Sequence, residues 1–122
     1  MRLSTSLFTL SLAAVALSAQ QPDAVGYYRY PAVSGNTVVF TAEGDLWRVP
    51  VTGGTAQRLT PAPGEETNAA ISPDGKWVAF SASYEGPTEA YVMPIDGGLP
   101  TRLTYEGSVA TVVGWTLDGR VL

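Results

Sequence analysis

The sequence of 122 residues contains no cysteine and no histidine. Without cysteine it can form no disulfide, no thiolate nucleophile and no cysteine-ligated metal site. Without histidine it lacks the usual general base of a serine nucleophile and the commonest nitrogen ligand of metals. Basic residues are also scarce, 7 against 11 acidic ones, and the net charge is −4. We therefore expect no catalytic residue, no cofactor-binding residue, no metal site and no nucleic-acid partner in this chain.

The first nineteen residues have the layout of a secretory signal peptide. Arg2 and the amino terminus supply positive charge, an apolar stretch follows, and small residues end at Ala19. The apolar stretch is shorter than the ~20 residues of a membrane-spanning helix, and no stop-transfer pattern follows it. We predict a signal-peptide helix over residues 1–19, cleaved after Ala19 or alternatively after Ser18, and a linker over residues 20–27. The mature protein is then periplasmic or secreted, with no stable membrane insertion after cleavage.

The rest of the sequence repeats itself. Residues 50–60 return as residues 94–104, with Pro, Gly, Gly, Arg, Leu and Thr in the same places. Upstream, residues 35–40 match residues 75–80, and a third copy begins at Trp115. Such markers in the same order indicate repeated structural units rather than chance similarity.

Each unit is predicted to form four short strands, since β-branched and aromatic residues alternate with turn signals. In the first unit, Glu43 and Gly44 alone join two strands, which suits a short hairpin. After Gln20 no stretch of useful length has a helical period. In the second unit the strands are expected at roughly residues 68–72, 76–83, 88–95 and 101–105.

Four strands in each 40–45-residue unit are typical of a β-propeller blade. The prediction is an all-β fold with blades of four antiparallel strands: blade 1 at residues 28–67, blade 2 at residues 68–111, and the truncated start of blade 3 at residues 112–122. Propellers close with ~4–8 blades, so we expect an incomplete propeller from a longer protein. The alternative is a complete two-blade domain, which would leave blade faces and strand edges open to aggregation.

Residues 72–80 read Ser-Pro-Asp-Gly-Lys-Trp-Val-Ala-Phe and resemble the repeat of TolB-type propellers. Similar blades occur in prolyl oligopeptidases, dipeptidyl peptidases and amidohydrolase fusions. The flanking segments at residues 28–31, 44–50, 53–60 and 85–91 together resemble the start of tricorn proteases. The resemblance covers residues 26–122.

This resemblance implies a large serine peptidase with two N-terminal propellers, a PDZ-like module and a catalytic region near the C-terminus. No catalytic residue of that family maps onto this chain. We expect an exported N-terminal propeller fragment that is inactive alone. Its expected role is to gate or orient peptide or protein substrates for the peptidase. The full-length peptidase is a candidate homo-oligomer. The alternatives are a TolB-like periplasmic protein-binding propeller and the propeller of a prolyl-oligopeptidase or amidohydrolase fusion.

Two arginines, Arg58 and Arg102, recur at the same position of the repeat. One interpretation is contact with a peptide carboxylate. The favoured interpretation is a structural hydrogen bond or ion pair that ties an outer strand to the next blade, because features repeated in every blade usually follow the architecture.

The acidic residues that precede a glycine in the repeat, Asp74, Asp96 and Asp118, are predicted to be turn residues, since no calcium-loop spacing surrounds them. Glu65 and Glu66 form the only adjacent acidic pair and are expected on an exposed connection between blades.

Aromatic residues are candidates for a ligand surface. Trp47 and Trp77 are expected to pack in the core or between blades, whereas Tyr27 and Tyr28 are less constrained and could face a partner. The full set is Trp47, Trp77, Trp115, Tyr27, Tyr28 and Tyr30.

Overall fold

The computed structural model describes residues 26–122, so the predicted signal peptide and most of the predicted linker lie outside the described residues. The described part is all-β, and within it no helix has the length and apolarity needed to span a bilayer. The strands are β1 Tyr28–Ser34, β2 Thr37–Ala42, β3 Asp45–Pro50, β4 Gln57–Arg58, β5 Glu66–Ile71, β6 Trp77–Ala82, β7 Glu89–Pro94 and β8 Thr101–Arg102.

The strands form two four-stranded antiparallel sheets, in the orders β1-β2-β3-β4 and β5-β6-β7-β8. These sheets are blades 1 and 2, and the predicted all-β propeller blades are confirmed. Blade 2 begins earlier than predicted, because β5 starts at Glu66, which the sequence analysis assigned to the end of blade 1. The β2–β3 connection is the expected two-residue hairpin, with positive φ at Glu43 (55°) and Gly44 (90°), as a primed turn requires.

The outermost strand of blade 2 is shorter than the sequence predicts. β8 ends at Arg102, whereas the sequence favours a strand as far as residue 105. The amide of Ala90 donates to Thr104 Oγ1 at 2.9 Å. The Thr104 hydroxyl thus accepts the hydrogen bond that a backbone carbonyl would accept in a regular ladder, and the pairing of β7 with β8 ends.

The first strand of each blade contains a bulge at the equivalent place. The register shifts between Arg29 and Ala32 in β1 and between Thr67 and Ala70 in β5. A bulge places an extra residue on one strand and increases its local twist. The bulges include non-glycine residues at positive φ, Tyr30 at 51° and Asn68 at 54°.

The core lies between the blades. One face of blade 1 supplies Val39 and Leu46, and the opposing face of blade 2 supplies Phe80, Tyr91 and Met93. Side chains alternate between the two faces of a strand, so Phe40 and Trp47, the neighbours of Val39 and Leu46, lie on the other face of blade 1. Phe40 and Trp47 are opposite each other in the β2–β3 pairing. The blades therefore stack face to face, as propeller blades do.

The chain after blade 2 begins a third unit. Val112 is buried against Ala79 and Ala90 on the far face of blade 2. Trp115 and Val121 form an antiparallel bridge around a turn in which the amide of Gly119 donates to the carbonyl of Thr116 at 3.1 Å.

Candidate functional site

A cleft of about 930 Å³ lies on the face of blade 1 that no other blade covers in the described chain. Its lining includes the aromatic side chains of Tyr27, Tyr28, Phe40 and Trp47. Tyr28 meets Phe40 edge to face, with ring centroids 5.2 Å apart. The indole Nε1 of Trp47 donates to the carbonyl of Ala42 at 3.1 Å, which fixes the ring on the sheet.

Two of the three charged residues that line the cleft, Arg29 and Glu65, pair with each other, and the third is Glu43. Arg29 forms an ion pair with Glu65, and this hydrogen bond raises the pKa of the guanidinium. The guanidinium also lies 5.3 Å from the ring centroid of Tyr27 and 5.5 Å from that of Tyr30. None of the residues described as lining the cleft is a serine, threonine, cysteine or histidine. The exposed aromatic rings suit apolar contact with a macromolecular surface.

The face of blade 2 that is equivalent to the cleft packs against blade 1. Phe80 and Tyr91 occupy the places of Phe40 and Trp47, and blade 1 buries both, leaving Phe80 0% and Tyr91 5% exposed. On blade 1 the neighbouring Tyr28 is 65% exposed. We call the packed contact between blades 1 and 2 the seam. The cleft is therefore the uncovered equivalent, on blade 1, of the face that blade 2 presents to this seam.

The recurrent arginines form structural ion pairs. Arg58 Nη2 lies 2.5 Å from the carboxylate of Asp45, and Arg102 Nη2 lies 2.9 Å from that of Glu89. Asp45 and Glu89 begin the third strand of the same blade as the arginine that they bind. The expected ion pairs are thus present, but the prediction that they reach the next blade was wrong, because adjacent strands of one sheet bring the charges together.

The acidic pair is divided between two environments. Glu65 is exposed and pairs with Arg29, as an exposed connection allows. Glu66 begins β5 and is fully buried, so its predicted exposure was wrong. The hydroxyl of Tyr84 donates to its carboxylate at 2.5 Å and that of Thr60 at 2.9 Å. These donors compensate part of the cost of burial, which nevertheless raises the pKa of Glu66.

A contact between blades that sequence reasoning missed centres on Arg48. Its Nη1 donates to the carbonyl of Ile95 at 2.8 Å and to Asp96 at 2.6 Å. The contact joins β3 of blade 1 to the turn after β7 of blade 2. The repeat gave no signal for it, because Val92 occupies the equivalent position in blade 2.

The turn aspartates have the contacts expected of turn residues. The carboxylate of Asp74 accepts hydrogen bonds from the Ser72 hydroxyl at 2.5 Å and the Lys76 amide at 3.0 Å, and both lower its pKa. Asp118 pairs with Arg120 at 3.0 Å in the third unit. Asp96 lies inside the turn in which the amide of Gly97 donates to the carbonyl of Pro94 at 3.1 Å, and it serves in addition as an acceptor for Arg48.

The tryptophans differ in their burial. Trp47 lines the open cleft of blade 1, and Trp115 donates from Nε1 to the carbonyl of Ala70 at 2.9 Å between blade 2 and the third unit. Trp77, predicted to pack, is 43% exposed. Together with Trp115 it lines a smaller cleft of about 330 Å³, where only the start of the third unit covers its face.

Comparison with known proteins places the chain in one family. Residues 25–122 match the family model of the tricorn protease N-terminal beta propeller domain. The Streptomyces coelicolor protein tricorn protease homolog 1 is 46% identical over 103 residues, which are 84% of this chain. The chain spans only 10% of the length of that relative.

Solved structures show the same fold. A crystal structure of the tricorn protease has a TM-score of 0.68 at 23% identity, covering 79% of this chain and 10% of that one. A TolB structure from Acinetobacter baumannii has a TM-score of 0.66 at 27% identity, covering 75% of this chain and 24% of that one. With a family match across the described blades, this chain belongs to the tricorn protease N-terminal β-propeller family.

Proposed function

We propose that the chain is the N-terminal propeller region of an exported serine peptidase and that its blades admit or orient peptide substrates. The single observation that carries this proposal is the 46% identity to a tricorn protease homolog about ten times as long as the matched segment. The proposal assigns the peptidase reaction to the rest of the full-length protein, because the chain spans only 10% of the length of that relative.

The peptidase assignment is tested on the full-length protein. We expect hydrolysis of short fluorogenic peptides, inhibition by a serine-directed phosphonate, and an oligomeric assembly in sedimentation experiments. A full reading frame that ends after a single propeller, or a full-length protein that hydrolyses no peptide, contradicts the assignment.

The role in admitting substrate requires a separate comparison. The full-length protein and a form lacking residues 20–122 are assayed on a short peptide and on a long unfolded polypeptide. We expect the deletion to change the ratio of the two rates, provided that circular dichroism and the oligomeric state show an intact remainder. An unchanged ratio in an intact remainder contradicts the proposed role of the propeller in substrate admission.

Export is tested by the mature N-terminus. The protein purified from the periplasm or medium is expected to begin at Gln20, one residue after the predicted cleavage site. An N-terminus at Met1 in a protein confined to the cytoplasm contradicts export.

A TolB-like binding propeller is the second candidate, and the similarity to the TolB structure favours it. Such a protein would retain protein partners and hydrolyse no peptide. The peptide assay on the full-length protein therefore separates the two candidates.

A further inference from the structure

The threonine two residues after Arg58 joins blade 1 to blade 2. Thr60 Oγ1 accepts a hydrogen bond from the amide of Leu46 at 2.8 Å. It then donates its own proton to the carboxylate of Glu66 at 2.9 Å. Because Leu46 lies in blade 1 and Glu66 in blade 2, this chain of hydrogen bonds crosses the seam between the blades.

The equivalent threonine of blade 2 makes its contacts inside one blade. Thr104 Oγ1 accepts from the amide of Ala90 at 2.9 Å and donates to the carboxylate of Glu89, which begins β7 of the same blade. The amide of Gly107 also donates to Glu89, at 3.2 Å. The two repeats thus use one threonine and one carboxylate in each case, but only blade 1 takes the carboxylate from its neighbour.

The difference in which carboxylate accepts from the threonine follows from two positions of the repeat. Asp45 and Glu89 occupy the same place at the start of the third strand, and aspartate is one methylene shorter than glutamate. Glu66 corresponds to Ala110, since their amides donate at 2.8 Å to the equivalent carbonyls of Gly44 and Thr88. The shorter Asp45 pairs with an arginine, and Glu66 provides the acceptor for the threonine.

The surroundings of Glu66 favour its neutral form. It is fully buried, and its hydrogen-bond donors from side chains, Tyr84 and Thr60, are both neutral hydroxyls. Of the nearby charged groups, Asp45 opposes the ionised form and Arg58 favours it. On the same face of the sheet, Glu89 lies one strand farther, across Ala82. No ion pair within residues 26–122 includes Glu66.

We propose that Glu66 is an acid-sensitive latch between blades 1 and 2, which holds the seam more tightly when its carboxyl group is protonated. Protonation removes a buried negative charge. It also preserves the hydrogen bonds, because the hydroxyls of Thr60 and Tyr84 can accept as well as donate. The latch inside blade 2, built on Glu89, responds in the opposite direction.

The two directions follow from the shifts of the carboxyl groups on folding. Burial raises the pKa of Glu66 above its ordinary value, so its contribution is greatest at low pH and is lost as pH rises through the folded value. The Thr104 hydroxyl, and next Arg102, lower the pKa of Glu89. The contribution of Glu89 to folding stability is present when the pH is above its ordinary pKa, and it is lost as the pH falls through its lowered pKa in the folded state.

Hydrogen exchange of the full-length protein tests the proposal, with the Leu46 and Ala90 amides as reporters. Protection is measured by mass spectrometry from pH about 7 to about 4, a range that covers ordinary and raised glutamate values. Leu46 protection is expected to increase as pH falls, by up to about tenfold for each pKa unit that separates the folded and unfolded Glu66. Ala90 protection is expected not to increase.

Variants assign the response to Glu66. Glu66→Gln is expected to make Leu46 protection independent of pH, while Glu65→Gln, a change at the adjacent exposed acid, leaves the response intact. The pair Asp45→Glu and Glu66→Ala rebuilds the blade 2 arrangement in blade 1. In that double variant Leu46 is expected to follow the pH dependence of Ala90.

The proposal is overturned if Leu46 protection in the unaltered protein has the same pH dependence as in Glu66→Gln. Should Glu66→Gln fail to fold, Thr60→Val removes the hydroxyl that links Leu46 to Glu66. A Leu46 response that persists in Thr60→Val then overturns the proposal equally. The experiment requires no peptidase activity, so its result is independent of the proposed enzymatic function.

Discussion

Replacement of two equivalent phenylalanines by alanine shows whether the open face of blade 1 is a seam in the intact protein. Phe80 and Phe40 occupy the same position of the repeat, opposite Tyr91 and Trp47 respectively. Blade 1 covers Phe80, whereas no described residue of another blade covers Phe40. Phe80→Ala and Phe40→Ala in the full-length protein are therefore matched changes. Phe80→Ala perturbs the seam between blades 1 and 2, and Phe40→Ala tests whether another blade covers the cleft of blade 1.

The expected cost of Phe80→Ala follows from its burial. The side chain is fully buried, stacks on Tyr91 with centroids 5.9 Å apart, and meets Tyr84 edge to face at 6.4 Å. Truncation of a buried phenylalanine costs about 3–5 kcal/mol, and the lost aromatic pairs favour the upper half of this range. If a further blade covers Phe40, Phe40→Ala costs a comparable amount. If the face stays open, we expect about 1 kcal/mol, since the half-buried ring loses less contact.

Differential scanning calorimetry of the full-length protein supplies the comparison. At about 2–4 °C for each kcal/mol in a domain of 150–250 residues, Phe80→Ala is expected to lower the propeller transition by about 10 °C. Phe40→Ala is expected to lower it similarly. A Phe40→Ala shift of under about a quarter of the Phe80→Ala shift refutes a covering blade. A small shift in Phe80→Ala itself refutes the packing described between the blades.

Three further changes test single contacts. Arg48→Met is expected to destabilise the propeller by about 1 kcal/mol, a modest value because Asp96 is exposed; a double-mutant cycle with Asp96→Ala that shows no coupling contradicts this bridge. Thr104→Val removes the acceptor of the Ala90 amide and is expected to cost about 1–3 kcal/mol in chemical denaturation; a neutral effect contradicts the contact. Tyr84→Phe removes one donor from Glu66 and is expected to cost more at neutral pH than at acidic pH, where the carboxyl is protonated; equal costs at both pH values, measured by urea unfolding, contradict this role.

The sequence predicted the blades because their signals are local. Turn residues such as those around Asp74, the hairpin at Gly44 and the strand propensity of segments such as residues 77–80 each depend on near neighbours. The recurrent Arg58 and Arg102 could likewise be recognised as architectural from their repetition.

Contacts across the seam could not be predicted in the same way. Glu66 follows another acidic residue near a turn, a pattern typical of exposed chain, yet blade stacking buries it against Thr60. Arg48 bonds a carbonyl 47 residues away and has no counterpart in the second repeat. Such contacts depend on how two sheets are placed against each other, which the local periodicity of either sheet does not determine.

The central claim is that this chain forms the opening blades of a larger closed propeller, and a structure of the full-length protein tests it most directly. The account predicts that another blade covers the cleft of Tyr28, Phe40 and Trp47 and presents aliphatic side chains in the manner of Val39 and Leu46. A full-length structure in which this aromatic face remains open to solvent would contradict it.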